Sequence, residues 1–409
     1  MDQPVSRGFD PRVVKRQFPG LSAPDLRYLD NAATAQVPEA VLAALRGFEI
    51  EARGNVHGTP HRRSRAAQAA YDGARAEIAG YLGVPPQEVV FTYGTTFGIN
   101  LLAGALAERL GPADRVVVSR LEHHSNLLPW QKLARRRGVR LSAIPITPEG
   151  RLDLDRLDEV VRADTRLIAV THCSNVTGAE TEVARILEVA RAVGARVLLD
   201  GAQRAPHGPL DLPALGVDFY ALSGHKMYGP TGIGVLWGRS EALAELPPFT
   251  VGGQMVRSVT MESATFADPP GRFEAGTPPL AGAVGLGAAA RWLGKLDWSA
   301  VQAHERRLTG HAIAGLQALP GVRVLGPHDL ERRGPVVSFV AEGVDSLALC
   351  LRLDEDGLAL RAGHHCAQPL HAALGVAGSA RASFALYNDE DEVDALLLGV
   401  DRALHELRS

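Results

Sequence analysis

Ala221-Leu222-Ser223-Gly224-His225-Lys226-Met227-Tyr228-Gly229-Pro230 decides how this chain is read. It follows the apolar run Val217-Asp218-Phe219-Tyr220 and precedes the strand-like Gly232-Ile233-Gly234-Val235-Leu236-Trp237. A lysine is thus held between two strands, flanked by a serine, a histidine and glycines. Burial penalises an ammonium and lowers its pKa until the free amine becomes accessible. Such an amine can form a Schiff base with a carbonyl cofactor. The chain has four lysines, Lys15, Lys132, Lys226 and Lys295. Lys15 lies in a polar N-terminal stretch, and Lys132 and Lys295 fall in helix-like segments as solvated stems. A lone lysine is ordinarily a surface charge; Lys226 alone has neighbours suited to chemistry.

Upstream, strand-like runs recur at Val89–Thr92, Arg115–Ser119, Arg140–Ile144, Leu167–Thr171 and Arg196–Leu199, with helical patterns between them. Pro38 opens a helix, residues 53–65 read as a polar loop, and helices are expected near Ala66–Leu82 and Ile99–Leu110. Strand–helix alternation predicts an α/β fold, a mainly parallel sheet covered on both faces, with its ligand at the carboxyl ends of the strands. Gly252 to Pro279 reads as a long irregular excursion, and helices follow at about Gly282–Leu296 and Ala300–Leu319. An α+β tail closes the chain, with a strand at Val336–Val340 and a helix at Glu390–Leu407. We expect an N-terminal arm (1–25) packing on a small domain, a large domain over 26–290 and the small domain over 291–409.

At 409 residues the chain exceeds one ordinary core, and 46% apolar with 22% charged residues describes a soluble globular protein. A formal net charge of −3 gives no reason to expect nucleic acid or an anionic membrane as partner. No apolar run reaches spanning length and the first twenty residues are too charged for a secretory signal. Cys173, Cys350 and Cys366 show no CxxC spacing, which argues against a disulfide framework and a structural zinc site. A cytoplasmic enzyme with no metal is the expected class.

Asp200 ends an apolar strand in Leu198-Leu199-Asp200-Gly201-Ala202-Gln203. It either caps the next helix or pairs with a pyridinium nitrogen, whose proton makes the ring a better electron sink. Gln203 could then meet the ring's phenolic oxygen. Gly94-Thr95-Thr96 opens a helix after a strand, so free amides and two hydroxyls converge where an anion is favoured; Ser223 and His225 could close a phosphate site. His123, in Glu122-His123-His124-Ser125-Asn126, is either a loop histidine or a flat ring for stacking on a cofactor. Arg361-Ala362-Gly363-His364-His365-Cys366-Ala367 puts a thiol in a glycine- and histidine-bearing loop, while Cys173 and Cys350 follow apolar runs as packing residues. Arg381 could grip a carboxylate with its bidentate fork or form a structural ion pair.

Together these segments resemble the fold-type I, class V aminotransferase family of pyridoxal-phosphate enzymes, and within it the cysteine desulfurases of the SUF-pathway type (group II, selenocysteine lyase-like). Tyr28-Leu29-Asp30-Asn31-Ala32-Ala33, Ser174-Asn175-Val176-Thr177-Gly178 and Arg272-Phe273-Glu274-Ala275-Gly276-Thr277 join the motifs above in family order. The resemblance implies a mainly parallel seven-stranded-type sheet between helices and a smaller α+β domain carrying the catalytic cysteine loop. It implies that Lys226 carries pyridoxal 5′-phosphate, Asp200 pairs with its ring nitrogen, His123 stacks on the ring and Gln203 meets its phenolic oxygen. Thr95, Thr96, Ser223 and His225 hold the phosphate, joined by Thr277 from the other subunit of a homodimer. Asn175 and Arg381, with His57 and Arg361, face the substrate, L-cysteine or L-selenocysteine. Cys366 accepts the sulfur and passes it to an acceptor protein, in iron–sulfur cluster assembly or a dedicated pathway.

Two departures stand out. Relatives often read Thr-Thr-Glu-Gly-Ile-Asn where this chain has Phe97, and Val-His-Arg-Gly-x-His where it has Gly58. Both fall near the expected active-site mouth or dimer seam, and suggest a paralogue serving a dedicated acceptor. The alternatives are other class V chemistries: selenocysteine lyase, cysteine sulfinate desulfinase, C–S β-lyase or epimerase. A non-catalytic pyridoxal-dependent regulator or sulfur-carrier scaffold is disfavoured, because both reactive residues are present.

Overall fold

The computed structural model describes residues 9–56 and 61–408. Seven strands form the main sheet: β1 (Val89–Thr92), β2 (Arg115–Ser119), β3 (Arg140–Ile144), β4 (Thr165–Thr171), β5 (Arg196–Asp200), β6 (Phe219–Ser223) and β7 (Gly234–Gly238). Their spatial order is β1-β7-β6-β5-β4-β2-β3. The run from β3 to β6 is parallel throughout, whereas β7 is antiparallel to both its neighbours. A parallel return needs a crossover of roughly a dozen residues or more, usually a helix. Between β6 and β7 lies only a short turn of 3-10 helix, Gly224–Lys226, so β7 folds back beside β6.

Alternate residues of these strands feed two apolar cores. Val117, Ile168, Leu199 and Leu222 enter one, and Val116, Leu167, Leu198 and Ala221 the other. Both sets are buried, which explains the near-continuous apolar reading of each strand. Helices Arg62–Leu82 and Leu280–Leu293 lie on the first face; Thr95–Leu106 and Leu128–Arg137 lie on the second. The long pair packs closely because Gly287 has no side chain: a Cβ there would sit 2.7 Å from Ala74 Cα.

Three segments differ most from the sequence reading, one of them the helix expected near Ile99–Leu110, which runs over Thr95–Leu106. The helix expected from Ala66 begins at Arg62, capped by His61, whose Nδ1 accepts from Ser64 N–H at 3.1 Å. Imidazole is not among the usual capping groups, so that start carried no signal. The excursion from 252 to 279 contains an antiparallel hairpin, β8 (Val256–Val259) with β9 (Ala264–Phe266). Its strands are short and mostly exposed, so no apolar pattern announced them.

The C-terminal part is a four-stranded antiparallel sheet, β10 (Val322–Leu325), β11 (Val336–Ala341), β12 (Arg361–Gly363) and β13 (Ser379–Ser383), in the order β10-β11-β13-β12. Helices Trp298–Ala318, Ser346–Asp354 and Glu390–Arg408 cover it around Leu308, Phe339, Leu349 and Leu396. The N-terminal segment ties the two sheets together. Arg27–Tyr28 pairs with Leu358–Ala359, Lys15 Nζ meets Glu392 at 2.7 Å, and Phe18 sets its ring edge-on to Tyr228, Trp292 and Tyr387.

Within the large sheet's layer, Glu274 ties its own loop to helix Arg62–Leu82 and to β1. Its carboxylate accepts from both terminal nitrogens of Arg75 (2.8 and 2.7 Å), from Phe91 N–H (2.7 Å) and from Tyr71 O–H (2.9 Å). Glu274→Ala takes the acceptor away from Tyr71 O–H, Phe91 N–H and Arg75 Nη2 and leaves a buried guanidinium without its counter-charge, Nη1 alone keeping Val89 O. We expect a loss of about 3–5 kcal/mol, read as a fall in urea stability; a loss under about 1 kcal/mol would show the network to be dispensable.

Candidate active site

A cleft of about 170 Å³ opens at the carboxyl end of the parallel strands, where β4, β5 and β6 finish at Thr171, Asp200 and Ser223. It is lined by Thr95, Thr96, His123, Asn175, Asp200, Gln203, Ser223, His225, Lys226, Arg361, Cys366 and Arg381. Thr277 is exposed and outside this cleft, and His57 lies outside the described residues.

One corner is rich in hydroxyls. Gly94 turns the chain into the helix at φ +105°, and a Cβ there would come within 3.2 Å of Ser223 Oγ. Thr95 meets that same Oγ twice, through N–H at 2.9 Å and through Oγ1 at 2.7 Å. Thr96 Oγ1 lies 2.7 Å from Ser125 Oγ, a cleft residue that the sequence reading left without a role. Hydroxyls and free amides at a helix N-terminus are a combination that suits an anion. His225 borders this corner, held by its carbonyl, which accepts from Ala35 N–H at 2.9 Å; burial keeps its ring neutral, with the pKa lowered to about 4.

Lys226 stands in the turn after β6. Burial lowers its pKa to about 8; Asp200 opposes that shift, and Arg381 and Arg361 add to it. Asp200 is buried, and burial raises its pKa. Its Oδ1 accepts from Ala202 N–H at 3.0 Å in a turn and not at a helix start, the next helical turn opening at Ala205 without a side-chain cap, and among the described residues no hydrogen bond reaches Oδ2. Gln203 Nε2 donates to Ala32 O at 2.8 Å, which fixes its amide at the cleft wall.

His123 is positioned by a carboxyl that sequence reasoning passed over. Glu122 accepts from Thr171 N–H (2.9 Å), from Asn126 Nδ2 (2.6 Å) and from Ser119 O–H, bolting the loop to β2 and β4. Burial pushes its pKa up to about 8. His123 Nδ1 accepts from Ser125 N–H at 3.1 Å, so Nε2 bears the ring proton. Burial, helped by Lys226, lowers its pKa to about 3, and the ring stays neutral.

Arg381 closes the opposite wall. Its Nη2 donates to Asp30 Oδ1 at 2.9 Å and its Nη1 to Asn175 O at 3.1 Å, while its buried Nε has no partner. Asn175 Nδ2 donates to His365 O at 2.7 Å, and Cys366 O accepts from His124 N–H at 2.7 Å. The cysteine loop is therefore tied to both the Asn175 and the His123 segments. Cys366 itself is exposed. Cys173 also lines the cleft, yet burial pushes its thiol up to about 12, as expected of a packing residue.

The class-V aminotransferase profile matches residues 27–396. The chain belongs to the class-V aminotransferase family. It is 47% identical over 400 residues, 96% of this chain and 94% of the relative, to a Mycobacterium leprae protein described as a probable cysteine desulfurase 2. Its fold is similar to that of the cysteine desulfurase CsdA from Escherichia coli, at 41% identity and a TM-score of 0.90, covering 98% of this chain and 100% of that one. The apo cysteine desulfurase of Thermococcus onnurineus NA1 is also similar, at 35% identity and a TM-score of 0.93, covering 98% of this chain and 99% of that one.

The donor set of this class-V site fits pyridoxal phosphate. A hydroxyl-lined helix N-terminus suits a phosphate, a buried carboxyl with one free oxygen suits a ring nitrogen, and an amine shifted to about 8 suits an aldehyde. The orphaned Arg381 Nε leaves a cation with a donor to spare for a carboxylate.

Proposed function

We infer that this chain is a pyridoxal-phosphate-dependent cysteine desulfurase: it takes sulfur from L-cysteine, releases L-alanine and carries the sulfur as a persulfide on Cys366. The observation that carries this reading is one cleft holding both a lysine whose amine is shifted down to about 8 and an exposed thiol. Bound there, the cofactor supplies an electron sink that lowers the cost of negative charge at the substrate's Cα. Lys226 would hold it, with Thr95, Thr96, Ser223 and His225 around its phosphate, Asp200 keeping a proton at its ring nitrogen, Gln203 near its phenolic oxygen and His123 against its face.

The chain's own groups do the rest. Arg381 and Asn175 orient the substrate carboxylate, with Arg361 beside them, and Lys226 Nζ takes the Cα proton. Cys366 Sγ attacks the substrate sulfur: the S–S bond forms, the C–S bond breaks, and its electron pair stays with the carbon fragment, which is protonated to alanine. Given pyridoxal phosphate, L-cysteine and dithiothreitol, the protein should release sulfide and alanine in equal amounts; release of neither would overturn the reading.

The amine, not the ammonium, attacks an aldehyde. Cofactor uptake by cofactor-free protein should therefore quicken as pH rises towards about 8 and level off above it. The growth of visible absorbance measures this, and a rate flat between about pH 6 and 10 would contradict it.

We further place the enzyme in the cytoplasm as a homodimer, Thr277 reaching the partner's phosphate site, and assign it a protein acceptor for the persulfide. Phe97 supports a dedicated acceptor. Where relatives' pattern has an acid, its ring packs edge-on between Tyr93 (5.3 Å) and Phe249 (6.2 Å), making an apolar rim. No helix among the described residues is long and apolar enough to cross a membrane.

A further inference from the structure

The segment Tyr28-Leu29-Asp30-Asn31-Ala32-Ala33 has no part in the mechanism above, yet it binds residues on both walls of the cleft. On one side Ala32 O accepts from Gln203 Nε2 at 2.8 Å, and just beyond the segment Ala35 N–H donates to His225 O at 2.9 Å. On the other side everything converges on Ser383. Leu29 O accepts from its N–H (2.7 Å), Asn31 Nδ2 donates to its carbonyl (2.6 Å) and Ala32 N–H donates to its Oγ (2.9 Å). Asp30 lies beside Ser383 in parallel register. Its backbone is thus fixed against the end of β13, the strand that carries Arg381.

That fixed backbone aims one carboxylate oxygen at one guanidinium nitrogen. Arg381 Nη2 donates to Asp30 Oδ1 at 2.9 Å, and Nη1 donates to Asn175 O at 3.1 Å. The guanidinium is a rigid plane on a long, rotatable stem. Held at Nη1 alone it would swing; pinned at both terminal nitrogens it has one orientation. Asp30 is also a counter-charge: burial lowers the pKa of Arg381, Asp30 opposes that shift, and Arg361 adds to it.

Asp30 therefore acts on an incoming carboxylate in two opposed ways. It orients the cation that receives it, and its own charge repels it. The repulsion starts from a side chain 20% exposed at an open cleft, where water screens it. The orientation acts through a direct hydrogen bond that water does not weaken in this way, so orientation wins. We propose that Asp30 is a positioning residue that sets the plane of Arg381 for the α-carboxylate of the bound amino acid, and thereby how tightly the substrate is held. This rests on the desulfurase reading and deepens it, by giving the N-terminal segment a part in substrate binding.

Asp30→Ala and Asp30→Asn test it in the reconstituted enzyme. Alanine removes the anchor, and KM for L-cysteine should rise about tenfold with kcat within about twofold of native. Asparagine keeps an oxygen facing Nη2 while removing the charge, so its KM should stay within about threefold of native. A counter-charge role gives the opposite sign, since both variants would then lower KM. A merely structural role would lower kcat, cofactor loading and thermal stability together, and that pattern also counts against the proposal. The hold itself is read without substrate, from the side-chain 15N–1H signals of Arg381, assigned by difference from Arg381→Lys. Its two terminal nitrogens should exchange places slowly in the native protein and in Asp30→Asn, and faster in Asp30→Ala. An unchanged or lowered KM in Asp30→Ala, or Arg381 signals that match the native ones, overturns the proposal. If the native enzyme releases neither sulfide nor alanine from L-cysteine, the desulfurase reading fails by itself, and the nitrogen signals still decide whether Asp30 holds Arg381.

Discussion

Cys366→Ala is expected to lower sulfide release from L-cysteine by at least about 1,000-fold while leaving cofactor binding intact. The thiol is exposed and is the only one in the cleft free of the burial that disables Cys173. Alanine tolerates φ 57° about as well as cysteine does, so the loop should keep its shape and its bond from His124 N–H. Stability should therefore move by less than about 0.5 kcal/mol. Sulfide and alanine assays on native and variant protein, with the visible spectrum as a loading control, check this. Undiminished sulfide release without matching alanine would instead favour a β-lyase, which does not need that thiol.

Lys226→Ala should be at least as damaging, on the order of 1,000-fold or more, and by a different route. It removes both the amine that would hold the cofactor and the group that takes the Cα proton. The variant should lose its yellow colour on gel filtration, and borohydride reduction of the native protein should leave the cofactor's mass on the peptide containing Lys226. Retention of a covalent chromophore in the variant would remove the basis of the mechanism. The substitution also takes away the cation that favours the charged form of Asp200, so that carboxyl should titrate at still higher pH.

Much of the site was readable because its residues lie at the ends of apolar strands. Asp200 and Ser223 are the last residues of β5 and β6, and a polar residue closing a buried run is visible in one dimension. Gly94 was readable for a related reason, since only glycine adopts its φ cheaply at a strand-to-helix turn. Glu122 was not, because its role depends on Thr171 N–H arriving from another strand. Asp30 and Arg381 are 351 positions apart, and their pairing exists only once the N-terminal segment lies against β13. The meeting of His365 and His371 at Ser379 Oγ, 3.0 Å from each, was hidden too, since no spacing shows which side chains a fold brings together.

By itself the amino-acid sequence determined the strand–helix alternation, the class of sheet and the choice of Lys226 and Cys366 as the candidate pair, because periodicity and chemical type are local properties of a chain. Tertiary structure alone decided that β7 runs against its neighbours, that a buried carboxyl bolts the His123 loop in place, and that Arg381 keeps one donor unspent. Those outcomes depend on burial and on partners far away in sequence, and both come into being only when the chain packs.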